Sequence, residues 1–183
     1  MDQIALSATA TLRPLVGADA PDLHGLITAN RAHLDRWLRW SSGIRTPADA
    51  AAFIAIFEEK QRAGDGFHLG LRVDGALAGG CICWYIHRQN RNAEVGYWLD
   101  AGRTGQGLAT RMAAAVVGHL FRVERLHRIE MLCAVENTAS RAIPERLGFR
   151  VEGVKRHSHW ITTRFLDHAV YGLLEDEWRA GGP

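Results

Sequence analysis

The segment 93–110, AEVGYWLDAGRTGQGLAT, constrains the fold of this chain more than any other part of the sequence. Residues Ala93 to Leu99 have the β-branched and aromatic composition of a strand, and Gly105 and Gly107 then lead into an apolar-periodic run that predicts a helix. The first N–H groups of a helix have no partners, and the helix dipole favours negative charge beside them. The segment therefore predicts a site for a phosphorylated ligand.

A further strand is predicted at 129–135, IEMLCAV, so that the strand, the helix and this second strand form a βαβ unit with parallel strands and a right-handed crossover. The complete pattern of elements is β-α-α-α-β-β-β-α-β-α-β-β. It predicts an α/β (α+β) fold with a mixed, mostly antiparallel sheet of about seven strands, one central parallel junction and flanking helices. We expect a single domain over 1–183, with flexible tails at 1–10 and 176–183.

Several local signals fix the ends of the elements. Asp19 is predicted to cap a first helix, and the apolar spacing at 30–40 predicts a second helix. Thr46, followed by a proline and then Asp49, is typical of another helix start. The pair Asp74-Gly75 predicts a tight hairpin turn.

The helix predicted after the second βαβ strand contains one conflict. Asn137 or Thr138 caps it, and Gly148 ends it. Pro144 lies four residues after Ser140 and has no N–H to bond the Ser140 carbonyl. The helix must therefore start late or bend at this proline.

Composition excludes several classes of partner. The chain has 183 residues, a net charge of +2 and dispersed basic residues, so we expect no nucleic acid and no membrane surface as a partner. The cysteines Cys81, Cys83 and Cys133 lack the spacing of a zinc site, which predicts no metal and indicates a reducing, cytoplasmic location. The N-terminus has no signal-peptide pattern, and no run is long enough to span a membrane.

Two phosphate-binding patterns fit the glycine loop poorly. A Walker A loop requires Lys and Ser or Thr after its last glycine, whereas Leu108 and Ala109 follow Gly107. A dinucleotide fingerprint requires glycine or alanine where Thr110 stands, together with an acidic residue at the end of the next strand, for which Glu136 is a poor candidate.

The run Thr104-Gly105-Gln106-Gly107-Leu108-Ala109 resembles the acyl-CoA pyrophosphate loop of the GNAT N-acetyltransferases, whose pattern is Arg/Gln-x-x-Gly-x-Gly/Ala. It departs from the family at Thr104, for which Arg103 is a substitute. The run ENTASRAIPERLGF at 136–149 resembles the family's Asn-x-x-Ser followed by a helix and Gly-Phe. Together with the strand EVGYWL, the similarity covers nearly the whole chain and is closest to the ribosomal-protein N-terminal (alanine/serine) acetyltransferases.

This resemblance implies a GNAT fold and an acetyl-CoA-dependent N-acetyltransferase that works by direct attack in a ternary complex. Glu94 is implied as general base, directly or through water, although a structural carboxylate paired with Arg91 or Arg128 fits its position equally well. Ser140 is implied to stabilise or protonate the thiolate leaving group, with an ordinary first-turn serine as the alternative. The implied cofactor contacts are Trp98, Leu99, Arg103, Thr104, Gly105, Gln106, Gly107, Leu108, Ala109, Thr110 and Asn137.

The resemblance implies a primary amine as acceptor, and the subgroup implies a protein N-terminal α-amine. A small amine such as an antibiotic or polyamine is the alternative acceptor, and an acyl-CoA-binding regulatory module without catalysis is the alternative of another class. Trp37, Trp40, His68 and Tyr85 are the candidate acceptor contacts, although core packing explains the first three as well. An acetyl relay through Cys133 is a second mechanism, and a homodimer is left open.

Overall fold

The computed structural model describes residues 3–181. Eight strands and six α-helices follow one another in this part of the chain. The strands are β1 Ile4–Ala5, β2 Ala10–Pro14, β3 Phe67–Val73, β4 Ala76–His87, β5 Asn92–Leu99, β6 Arg128–Ala134, β7 Arg150–Ile161 and β8 Arg164–Leu174. The helices are α1 Ala20–Ala29, α2 Arg31–Leu34, α3 Pro47–Ala63, α4 Leu108–Arg122, α5 Thr138–Arg146 and α6 Glu175–Gly181.

All eight strands belong to one mixed sheet in the order β1-β2-β3-β4-β5-β6-β8-β7. Only β5 and β6 are parallel among the pairs of the described sheet, and α4 connects them, which confirms the predicted βαβ junction. The strand count is one above the expected seven because Ile4 and Ala5 pair with β2.

Both predicted tails contain regular structure where the chain is described. Ala10 is buried in β2, and Ile4 and Ala5 form β1. At the other end, α6 extends to Gly181, since the buried Trp178 packs its ring 6.2 Å from that of Phe121. Burial of Ala10 and Trp178 contributes to ordering the described residues at each end.

The two faces of the sheet pack against different helices. On one face, α4 buries Met112, Val116 and Leu120 in the larger hydrophobic core, as its apolar stripe predicts. On the other face, α1 and α3 bury Leu23 and Ile54 in a second core. The end of β5 lies between these two layers.

The start of α3 is formed as predicted. The Thr46 hydroxyl accepts a hydrogen bond from the Asp49 N–H at 3.2 Å, and the Asp49 carboxylate accepts one from the Thr46 N–H at 2.8 Å. Asp74 and Gly75, with φ of 52° and 82°, form the turn between β3 and β4. These two segments carry their own hydrogen-bond partners or backbone preference, so no distant residue is needed to specify them.

Two predicted helix features are wrong. The helix expected over 30–40 stops at Leu34, and the chain turns where the Ser41 hydroxyl donates to the Asp35 carboxylate or to the Leu38 carbonyl. The Asp19 side chain does not cap α1. It forms ion pairs with Arg13 and Arg72 instead, so two charged partners outcompete the backbone N–H groups.

Candidate active site

A cleft of about 940 Å³ opens where β5 and β6 separate. The two strands are in register only from Asn92 to Glu94, opposite Arg128 to Glu130. Beyond that seam the end of β5, the start of α4, the end of β6 and the first turn of α5 form the walls. The parallel junction therefore positions these four parts of the cleft wall.

The glycine loop lies at the N-terminal end of α4. Gly105 and Gly107 have φ of 76° and 72°, and Gly107 is the residue that precedes the helix. This left-handed conformation favours glycine over any residue with a Cβ. The turn presents the unpaired N–H groups of the first helical turn to the cleft, which is the geometry of an anion site.

Most of the predicted loop residues line the cleft, and two do not. Those that line it are Trp98, Leu99, Thr104, Gly105, Gly107, Leu108, Ala109, Thr110 and Asn137. Arg103 lies outside the lining, in the short 3-10 turn at 101–103. Gln106 is turned back, because its side-chain amide donates to the Gly102 carbonyl at 3.3 Å. The Thr104 hydroxyl donates to the Ala101 carbonyl at 2.9 Å, so its side chain supports the turn.

Three arginines on the cleft wall were missing from the predicted residues: Arg39, Arg111 and Arg146. Arg111 is four residues after Gly107 on α4, and Arg146 ends α5. All three are exposed and bring positive charge to the cleft that contains the anion site. The helical spacing from Gly107 was a signal that could have identified Arg111.

Glu94 lines the cleft at the point where the strands begin to separate. It forms no ion pair within the described chain, and Arg128 binds Glu130 and Glu152 instead, so the pairing considered for Glu94 is not found. Burial raises the pKa of the Glu94 carboxyl; the positive charge of Lys155 opposes this shift, and the charge of Glu130 adds to it. A carboxylate with a raised pKa in a cleft is suited to accept a proton.

Ser140 belongs to a cluster of three polar side chains on the cleft wall. Its hydroxyl donates to the Tyr97 hydroxyl at 3.2 Å or to Cys133 Sγ at 3.4 Å, and its N–H donates to Asn137 Oδ1 at 3.1 Å. Asn137 thus caps α5 and holds Ser140 at the same time. Burial raises the pKa of the Cys133 thiol, so this sulfur is a poor nucleophile for an acetyl relay.

The aromatic residues proposed for the acceptor side divide into two groups. Trp37 and Trp40 both line the cleft, although Trp40 also stacks on Phe53 with ring centroids 4.9 Å apart. His68 is 1% exposed and lies behind the cleft, where its Nε2 accepts a hydrogen bond from Trp98 Nε1 at 3.3 Å. Tyr85 pairs with Glu94 on the neighbouring strand without reaching the lining.

His68 and Tyr85 are therefore not in a position to contact an acceptor from this cleft. A strand places alternate residues on opposite faces, and β3 directs His68 into the aromatic core. The register of β4 shifts between Cys83 and Tyr85, which changes how the following residues face the sheet.

The β7–β8 hairpin adds a group of residues that sequence reasoning did not assign to the site. Ser158, His159 and His168 line the cleft, with the two imidazole rings 5.1 Å apart and Ser158 Oγ 3.1 Å from His168 Nδ1. Burial lowers the pKa of His168 to about 4 and also lowers that of His159, so both rings are neutral near pH 7. Register shifts between Lys155 and His159 bring these residues together, and such shifts are not visible in a periodic pattern.

Within residues 3–181, no group of three His, Cys, Asp or Glu side chains is arranged to hold a metal ion. No helix in the described part of the chain is long and apolar enough to cross a membrane.

The glycine cradle, the separated parallel strands and the Asn137–Ser140 turn are the features of one class of enzyme. Residues 10–150 match the family described as Acetyltransferase (GNAT) domain, and the chain belongs to that family. It is an N-acetyltransferase.

Individual relatives refine this comparison. YdaF of Bacillus subtilis (strain 168), named provisionally as a ribosomal N-acetyltransferase, is 33% identical over 170 residues that cover 92% of each chain. The spermidine N(1)-acetyltransferase of Escherichia coli (strain K12) is 32% identical over 110 residues, which cover 60% of this chain and 59% of that one. RimL is a ribosomal alpha-N-protein acetyltransferase, and one of its structures contains coenzyme A held as a cysteine disulfide. That structure superposes on this chain with a TM-score of 0.92 at 26% identity, and the match covers 96% of this chain and 99% of that one.

Proposed function

We propose that this enzyme transfers the acetyl group of acetyl-CoA to the α-amine of a protein N-terminus, with ribosomal proteins as the acceptor class. The observation that carries the proposal is the single cleft with an anion cradle at one end and the Ser140 cluster at the other. The similarity to RimL and YdaF over more than nine-tenths of the chain supports the acceptor class.

The residues of the cleft fit acetyl-CoA. The N–H groups after Gly107 suit a pyrophosphate, and Arg111 and Arg146 add charge for the remaining phosphate. Cys133 is the only one of the three cysteines that lines the cleft, so the cysteine disulfide of coenzyme A in RimL supports a position for the cofactor's sulfur beside Cys133 and Ser140. The cofactor supplies an acetyl thioester at that end of the cleft.

Glu94 takes the proton of the acceptor amine, directly or through one water. An α-amine titrates near ~8, against ~10.4 for a lysine side chain, so a carboxylate is a sufficient base for the first and a weak one for the second. The Ser140 hydroxyl donates its hydrogen to the departing sulfur. Trp37 and Trp40 form an apolar wall on the acceptor side.

A polyamine is a second candidate acceptor, because the spermidine acetyltransferase is a relative of similar identity. The Glu94 carboxyl lines the cleft and forms no ion pair within the described chain, which suits a cationic acceptor.

Thiol release from acetyl-CoA, measured over peptides with free N-termini and blocked lysines and over spermidine, tests the proposal. We expect the highest kcat/KM for a peptide of ribosomal-protein sequence that begins with serine or alanine. Faster turnover of spermidine would move the assignment to the second candidate, and acetyl-CoA binding without thiol release would indicate a regulatory module.

Ser140→Ala tests the role of the hydroxyl. We expect kcat to fall at least ~100-fold, the usual size of a lost general acid, with KM for acetyl-CoA within about twofold. Thr138→Ala is the matched control, since Thr138 lies in the same helical turn, is exposed and does not line the cleft. An unchanged kcat in Ser140→Ala would remove this serine from the mechanism.

A further inference from the structure

The carbonyl of Ser140 has a hydrogen-bond partner outside its own helix. Within α5 this carbonyl would be bonded by the N–H of residue 144, but Pro144 has none. The Tyr97 hydroxyl, which reaches across from β5, donates to the Ser140 carbonyl at 2.8 Å. A strand residue thus makes the bond that the helix cannot make.

This bond also fixes the direction of the protons in the cluster. The single proton of Tyr97 is used on the Ser140 carbonyl, so the Tyr97 oxygen accepts from Ser140 Oγ at 3.2 Å. Burial raises the pKa of Tyr97 well above its ordinary value, and the phenol stays protonated at physiological pH. The Ser140 hydroxyl therefore holds its proton on the Tyr97 oxygen or on Cys133 Sγ and can turn it toward a ligand.

Four contacts hold Ser140. Asn137 accepts from its N–H, Tyr97 donates to its carbonyl and accepts from its hydroxyl, and Cys133 lies 3.4 Å from its hydroxyl. The two contacts with Tyr97 link the wall formed by β5 to the wall formed by α5. Loss of the Tyr97 hydroxyl would leave the carbonyl without a protein donor and release the first turn of α5.

We propose that Tyr97 is a positioning residue: by bonding the carbonyl that Pro144 leaves open, it fixes Ser140 with its hydroxyl directed into the cleft. This inference rests on the proposed role of Ser140 as donor to the leaving sulfur. Tyr97 itself transfers no proton. The effects of Tyr97 and Pro144 are therefore coupled, because the Ser140 carbonyl needs the Tyr97 donor only while residue 144 has no N–H.

The two residues are tested together by a double-mutant cycle on kcat. Tyr97→Phe should lower kcat about tenfold, with KM for acetyl-CoA within about twofold. Pro144→Ala restores an N–H four residues after Ser140, so adding Tyr97→Phe to this variant should lower kcat less than about threefold. An equal loss in both backgrounds would overturn the proposal, because the effect of the phenol would then not depend on the carbonyl that Pro144 leaves open.

Thermal unfolding supplies a readout that does not depend on catalysis. Tyr97→Phe should lower Tm by about 4 °C in the wild-type background, and by less than half as much beside Pro144→Ala. Equal shifts in both backgrounds would refute the shared hydrogen bond. If Ser140→Ala retained full activity, the proposed catalytic role of Ser140 would be wrong. The Tm values of the double-mutant cycle would still test the hydrogen bond between Tyr97 and the Ser140 carbonyl.

Tyr171→Phe is the matched control for the loss of a phenol. The Tyr171 hydroxyl donates to Glu145 on α5 at 2.7 Å and accepts from Arg141 at 2.9 Å, so it also supports this helix without contacting Ser140. We expect kcat of Tyr171→Phe within about twofold of the wild type, with no dependence on Pro144. A loss as large as that of Tyr97→Phe would show that any weakening of α5 lowers activity, and would contradict a specific role for Tyr97.

Discussion

The buried imidazole of His68 should make the stability of this enzyme sensitive to acid. His68 is surrounded by the rings of Trp40, Phe53, Phe57 and Trp98, with centroids 5.5 to 6.2 Å away. Its Nε2 accepts the Trp98 N–H, so a proton added there would lose this bond and place a charge in an apolar core. Burial lowers the pKa of His68 to about 3.

The sign and size of the effect follow from proton linkage. The unfolded chain binds a proton at this position below pH ~6.5, whereas the folded chain binds one only near pH ~3, so stability falls as the pH falls between these values. The slope approaches ~1.4 kcal/mol per pH unit. Between pH ~7.5 and ~5 the free energy of unfolding should decrease by about 2 kcal/mol through His68 alone.

The assay compares the wild type with His68→Gln in urea unfolding at these two pH values. Glutamine keeps an acceptor for the Trp98 N–H, has nearly the same volume and does not titrate. His159 and His168 titrate in both proteins, so their contributions cancel in the comparison. The wild type should lose about 2 kcal/mol more than the variant. If both lose the same amount, His68 does not titrate as its burial requires, and the reasoning fails.

Two further predictions concern the cofactor and the acceptor. Gly107→Ala places a Cβ 3.1 Å from Arg111 Nη1 at a left-handed φ, and should raise KM for acetyl-CoA about tenfold. The control is Gly75→Ala, which has the same backbone strain in an open hairpin turn, and it should lose as much Tm while KM stays unchanged. A similar KM for both variants would contradict the role of Gly107 in binding the cofactor. Glu94→Gln should lower kcat ~100-fold and abolish the acid limb of the pH profile, because wild-type activity falls as the pH drops through the raised pKa of this carboxyl. Glu130→Gln, whose carboxylate is already paired with Arg128, should keep the limb, and persistence of the limb in Glu94→Gln would exclude Glu94 as the base.

The parts of the fold that the sequence predicts are those specified by neighbouring residues. Thr46 and Asp49 cap each other, and the Asp74-Gly75 turn needs only its own backbone preference. The glycine loop is also specified by neighbouring residues, because Gly107 ends the turn and directly precedes α4. Proximity in sequence makes such features readable without knowledge of the sheet.

The parts that escaped prediction depend on pairs that are distant in sequence. Tyr97 and Ser140 are 43 positions apart, and only the separation of β5 from β6 shows that they meet. The conflict at Pro144 was visible in the sequence, but its partner was not. His159 and His168 reach the cleft through register shifts in β7, which no periodic pattern contains.

The short seam between β5 and β6 has a consequence for the lifetime of the enzyme. Strands β1 to β5 and strands β6 to β8 are joined in the sheet by three register pairs only, and α4 bridges the gap. A molecule that contacts both walls of the cleft joins the two groups of strands and at ~100 times its Kd adds about 2.7 kcal/mol to the free energy of unfolding. Resistance to proteolysis should therefore rise and fall with the concentration of acetyl-CoA, so that the supply of substrate also sets how much enzyme survives.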